Sequence, residues 1–350
     1  MIYVHVPCCR SFCTYCDFYS EIACRGSDDR FFADYLRSLS DEIYRRREEL
    51  DSSRDPDTLY FGGGTPSVLP LDIISKIVRA LPQRSFREFT FEANPDDIVQ
   101  KGEEYVRGLM ALGVNRFSMG VQSLSDPVLK WMRRRHDADA ARRAFGILRE
   151  CGAENISVDV IFGISLLSAE ELKTTLDEIL SWKPEHISAY QLSVEEGGEL
   201  ASMIEKGQYS EADEDFCREQ YELICSKLRS GGYRHYEISS WARPGYESVH
   251  NSAYWSRRPY VGLGPGAHSL QVNGSLQRRV WNSQSLKDWK QEGETLTEDQ
   301  IKEEELMLGL RRERGVDISL ADGSLRHYEI AEKDWFVSDD IITSLANEIL

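Results

Sequence analysis

At 350 residues with 41% hydrophobic side chains, the chain can bury a sizeable core, which suits one large α/β domain or a barrel with an appendage. Its 42 Lys and Arg face 59 Asp and Glu, and the resulting net charge of −17 repels phosphate backbones and argues against nucleic acid as a general partner. No stretch approaches the roughly 18 apolar residues of a membrane-spanning helix. No charged-then-apolar leader opens the sequence, and eight cysteines, three of them in one loop, fit a reducing compartment. The cytoplasm is the expected location, with peripheral membrane contact left open.

Ile2–Val6 reads as a strand and delivers the most informative stretch, Cys9, Cys13 and Cys16 in a C-x3-C-x2-C loop. Three thiolates this close can surround one centre, whereas a closed structural zinc site needs a fourth donor. The next cysteines are Cys24 and then Cys151, so a zinc knuckle would have to recruit His5 or Cys8. Three thiolates without a fourth point to a metal centre with an open coordination position, and thiolates select iron–sulfur or zinc. Only Cys9 has the x3 spacing to Cys13, which leaves Cys8 a spectator.

Downstream, β-rich runs alternate with helical patterns. A helix over 31–50 precedes a strand at 58–61 that ends in Gly62, Gly63, Gly64 and Thr65, and a helix over 71–81 returns. Strands at 88–93, 116–121, 156–162 and 186–192 follow, separated by helical stretches that include 105–112 and 169–182; a further helix falls at 211–230. Such alternation implies βαβ units round a parallel sheet, and six units suggest an incomplete barrel, open along one side. Aromatics and glycines dominate 233–269, and 297–350 looks mostly helical and charged. A soft boundary near 240 divides a barrel at 1–240 from a smaller C-terminal domain at 241–350.

In parallel α/β folds ligands sit at the carboxyl ends of the strands. Here the first strand ends in the cysteine loop and the second in the glycine run, whose backbone can approach a ligand closely although no P-loop lysine follows. The third ends in Glu92, the fourth in Gln122, and the fifth carries Asp159. Each alone would pass as a structural polar residue; their convergence on one mouth is the stronger signal. Gly262, Gly264 and Gly266 imitate a dinucleotide fingerprint but open no βαβ unit, and are set aside.

Tyr3, His5, Pro7, the cysteine loop and the run Tyr15, Cys16, Asp17, Phe18 together resemble the start of radical S-adenosylmethionine (SAM) proteins. More narrowly, they resemble the HemN-like family and its heme-chaperone branch, HemW. The resemblance implies a partial (β/α)6 TIM-like barrel with a smaller, mostly helical C-terminal HemN-type domain. It also implies a 4Fe–4S cluster on Cys9, Cys13 and Cys16, with SAM chelating the fourth iron and cleaved by one electron to a 5′-deoxyadenosyl radical. Tyr3, Tyr15, Gly63, Gly64, Thr65, Glu92, Gln122, Arg134 and Asp159 match SAM-contacting positions, the arginine suited to pair SAM's carboxylate bidentately. His250, Asn251, Tyr254 and Trp255 match the branch's HNxxYW signature, making His250 a heme candidate; a histidine capping a turn over aromatics fits the same residues. Two departures stand out: Cys8 replaces a phenylalanine, and Ile164, Ser165 and Leu166 replace Leu-Pro-Gly in a loop beside the SAM adenine.

Two functions compete on this resemblance. One is a heme chaperone, monomer or homodimer, that binds the cluster, SAM and heme and delivers heme to acceptor proteins. The other is an oxygen-independent coproporphyrinogen III oxidase that decarboxylates propionates. The oxidase pattern carries a further cysteine where Phe18 stands, and HNxxYW belongs to the chaperone branch, so the local residues favour the chaperone.

Overall fold

The computed structural model describes residues 1–22, 28–53, 56–319 and 324–349; Cys24 lies outside them. Six parallel strands lie side by side in chain order: β1 (Ile2–Val6), β2 (Thr58–Gly63), β3 (Glu88–Ala93), β4 (Arg116–Gln122), β5 (Ile156–Phe162) and β6 (His186–Gln191). Each is followed by a helix: α1 (Asp28–Arg45), α2 (Leu71–Ala80), α3 (Pro95–Ala111), α4 (Ala138–Glu150), α5 (Ala169–Trp182) and α6 (Glu214–Ser230). Two antiparallel strands, β7 (Arg234–Glu237) and β8 (Ser240–Ala242), extend the sheet beyond β6, and β9 (Val261–Leu263) runs parallel to β1 at the other edge. Among the described residues β7 and β9 do not pair with each other, so the barrel stays open along one side.

The split between the two faces of the sheet follows the period of two that a strand imposes. Leu59, Phe61, Phe89, Phe91, Phe117, Met119, Val158 and Ile187 are buried in one continuous apolar core that also holds residues of every crossover helix. The alternating residues, such as Tyr60, Glu92, Ser118, Asp159 and Ser188, line a cavity instead. Helix α3 begins ten residues earlier than the expected 105. Pro95 occupies its first turn, where the missing N–H costs nothing, and Gly102 at φ 67 kinks it and interrupts the apolar periodicity.

Past the sheet, the short helix α7 (Val249–Trp255) packs against β2. A three-stranded antiparallel sheet follows, β10 (His268–Asn273), β11 (Leu276–Asn282) and β12 (Gln291–Thr295), which sequence patterning left unassigned. The chain then forms α8 (Glu298–Gly309), a hairpin of β13 (Val316–Ser319) and β14 (Leu325–Tyr328), and α9 (Ser338–Ile349). Among the described residues, no helix is long and apolar enough to cross a membrane.

Candidate cofactor site

Pro7 ends β1, and Cys8 and Cys9 then pair in parallel with Glu21 and Ile22, which closes the base of the cysteine loop. Cys8 turns into the apolar core, while the Cys9 thiol lies 3.4 Å from the Thr65 hydroxyl. Thr14 pins the middle of the loop: its N–H donates to the Met132 carbonyl at 3.2 Å and its hydroxyl to the Trp131 carbonyl at 2.8 Å. The Cys16 N–H donates to the Cys13 carbonyl at 3.3 Å, and Cys16 itself is exposed. Burial raises the pKa of Cys9 and pushes Cys16 up to about 11, so both are neutral thiols until a metal supplies positive charge. His5 is committed elsewhere, with Nδ1 3.0 Å from the Tyr3 hydroxyl and Nε2 2.8 Å from the Tyr19 carbonyl. Among the described residues no three His, Cys, Asp or Glu side chains converge as ligands of a single metal ion.

The glycine run brings the end of β2 against this loop. The Gly64 N–H donates to the Val6 carbonyl at 2.9 Å, and a Cβ at Gly64 would stand 3.1 Å from the Cys9 sulfur. Gly63 adopts φ +110, a conformation costly for any residue with a Cβ. Its N–H donates to one oxygen of Glu92 at 3.2 Å, and the Tyr60 hydroxyl donates to the other at 2.7 Å. Burial nevertheless raises the Glu92 pKa to about 7.

Arg134 braces the mouth from the opposite side. Nη1 reaches the Cys13 sulfur at 3.5 Å and the Tyr15 hydroxyl at 3.4 Å; Nη2 donates to Asn94 Oδ1 at 2.7 Å and to the Gly120 carbonyl at 2.8 Å. Its Nε is buried and unpartnered, as is Gln122 Oε1. Gln122 adopts φ 66 at an irregularity where β4 loses register with β5, which re-aims the end of the strand. On β5, Asp159 accepts from the Ser118 hydroxyl at 3.2 Å, and burial raises its pKa.

These groups enclose a cavity of about 550 Å³. Tyr15, Cys16, Gly63, Gly64, Thr65, Glu92, Gln122, Arg134 and Asp159 all lie on its wall. Cys9 and Cys13 stand just behind it, bonded to Thr65 and Arg134. Tyr3 is set apart, half-buried in β1 with its hydroxyl on His5. Sequence reasoning missed Tyr60, Asn94, Arg116, Ser118, Ser188 and Tyr190, which also line the cavity, as does Asn251 of the HNxxYW signature. The strand period could have found some of them: Arg116, Ser118, Gly120 and Gln122 alternate along β4, and all four face inward.

His250, the heme candidate, sits at the start of α7. It is fully buried, its Nδ1 2.8 Å from the Thr58 hydroxyl and its Nε2 3.1 Å from the Tyr254 hydroxyl, with its ring 4.9 Å from that of Tyr60. Burial lowers its pKa, and the side chain is absent from the cavity wall. Both nitrogens serve the packing of α7, so ligation of iron would require breaking one of these bonds. In the departing loop Ile164 is buried, and Ser165 takes over the anchoring, its N–H donating to the Tyr209 hydroxyl at 3.1 Å and its own hydroxyl to the Ser210 carbonyl at 2.7 Å.

The Radical SAM superfamily model matches residues 3–179. The heme chaperone HemW of Bacillus subtilis is 34% identical over 331 residues, which span 90% of this chain and 84% of that protein. HemW of Synechocystis is 33% identical over 334 residues, spanning 90% and 78%. The coproporphyrinogen III oxidase HemN of Escherichia coli matches in structure with a TM-score of 0.72 over 89% of this chain and 75% of its own, a likeness of fold at 20% identity. The chain belongs to the radical SAM superfamily and, within its HemN-like family, to the HemW branch.

Proposed function

We propose that this chain binds a 4Fe–4S cluster on Cys9, Cys13 and Cys16, SAM in the adjoining cavity, and heme, which it hands to acceptor proteins in the cytoplasm. The observation that carries the reading is the meeting of a three-thiol loop with a cavity whose wall is polar and partly unsatisfied. Gln122 Oε1 and Arg134 Nε have no partner within the protein, and the missing side chains of Gly63 and Gly64 let the glycine run pack closely against His5 and the Cys9 sulfur. A cavity of about 550 Å³ lies within the size range of small-molecule sites. When bound, the cluster supplies the electron that SAM cleavage needs.

The roles of the protein's own groups follow from their charge. Glu92 accepts from the ligand's ammonium, Arg134 faces its carboxylate, and Gln122 and Asp159 bond its adenosine end. Tyr15 packs between the loop and Arg134 and keeps the arginine aimed at Cys13. Tyr3 acts one layer back through His5. The division near residue 240 belongs to the same reading, with the chain beyond it supplying the branch-specific α7.

The test is anaerobic reconstitution followed by heme titration. Stoichiometric uptake of heme, together with a change in the paramagnetic resonance of the reduced cluster on adding SAM, is the expected result. Conversion of coproporphyrinogen III to protoporphyrinogen IX by the same sample would overturn it in favour of the oxidase.

A further inference from the structure

The first residue of β4 has no role in the site described so far. Arg116 is 1% exposed, yet it belongs to the lining of the cavity, and its Nε and Nη1, both sealed from solvent, have no hydrogen-bond partner. Glu88 and Asp159 act on it through space, but each is bonded elsewhere. Glu88 caps the N-terminus of α7, accepting from the N–H groups of Val249 at 2.7 Å and His250 at 3.0 Å; Asp159 is held by Ser118. A buried guanidinium with donors unused is costly, because it has given up water without gaining an anion. From the other side of Glu88, whose carboxylate holds the start of α7, that helix presents Asn251 to the same cavity.

We propose that Arg116 and Asn251 form a carboxylate-binding subsite at the floor of the cavity, separate from Arg134 at its mouth. This rests on the reading that SAM and heme are the chain's ligands, both of which carry carboxylates. Nε and Nη1 lie on different edges of the guanidinium, so each offers a carboxylate oxygen a single charge-assisted hydrogen bond rather than half of a paired fork. Asn251 adds an amide donor, which gives the signature helix a function within the cavity that does not pass through the buried ring of His250.

The experiment compares four probes on the reconstituted protein: SAM and decarboxylated SAM by calorimetry, heme and its dimethyl ester by absorbance. In the native protein one acid should bind at least about tenfold more tightly than its carboxylate-free counterpart. Arg116→Met should abolish that preference, and Arg116→Lys should keep part of it. The pair that loses its preference identifies the source of the carboxylate. Should Arg116→Met fail to fold, Asn251→Ala gives the same comparison, with a loss of roughly threefold expected. Ratios unchanged from the native protein in both pairs would overturn the subsite. Failure of the native protein to take up heme would instead sink the function proposed above, while the SAM pair still tests the floor.

Discussion

At the mouth of the barrel the half-buried Arg134 divides its guanidinium among a thiol, a phenol, an amide and a carbonyl; at the floor Arg116, more deeply buried, leaves two nitrogens without a partner. The mouth is preorganised, its cation fixed by the protein before any ligand arrives. The floor holds a charge the protein has not neutralised by contact. The mouth leaves only Nε of its guanidinium unpartnered, against Nε and Nη1 at the floor, and each unsatisfied buried group detracts from stability and marks a place where something else belongs.

The largest effect that would sharpen this contrast lies in the loop that Arg134 braces. Cys13→Ser should prevent cluster assembly, read as loss of iron, sulfide and brown absorbance after reconstitution, whereas Cys8→Ser, in the core, should leave all three in place. The next largest sets the two arginines directly against each other. Arg134→Met strands Asn94 Oδ1 and the Gly120 carbonyl and should cost roughly 3 kcal/mol of unfolding free energy. Arg116→Met should be neutral or stabilise by about 1 kcal/mol. Equal losses in denaturant titrations of the two variants would erase the distinction between mouth and floor.

A smaller effect comes from pH. Burial raises the Glu92 pKa from 4.5 to about 7, and that of Glu237, which lies away from the cavity wall, likewise to about 7. A carboxylic acid that ionises later in the folded state than in the unfolded one takes up protons on folding, so its stabilisation is complete below pH 4.5 and is lost as pH rises through about 7. Stability should fall over that window, and Glu92→Gln should flatten the slope in part, leaving the share due to Glu237. The smallest effect concerns Thr14. Thr14→Val removes only its bond to the Trp131 carbonyl and should cost about 1 kcal/mol, seen as a small shift in the denaturant midpoint with the cluster retained.

The mouth was the more legible of the two regions in the sequence. Cysteine spacing, a glycine run and polar residues at strand ends are local signals, and Cys16, Gly63, Thr65, Glu92, Gln122 and Arg134 meet where those signals point. The six βαβ units were legible for a similar reason, since Leu59, Phe61, Phe89 and Phe91 repeat within short segments. The floor was not, because Arg116 and Asn251 are 135 positions apart and only the folding of α7 against β2 joins them. The surroundings of His250 were illegible for a related reason. A histidine between aromatics has the composition of a ligand site, and only the positions of Thr58 and Tyr254 reveal that both of its nitrogens are occupied. The sheet of β10, β11 and β12 escaped notice because its strands alternate charged and polar residues with few apolar ones, and β12 is exposed throughout.

Thr58 at the start of β2 and Ser248 and His250 at the start of α7 are all buried, whereas Cys16, on the cavity wall, is exposed.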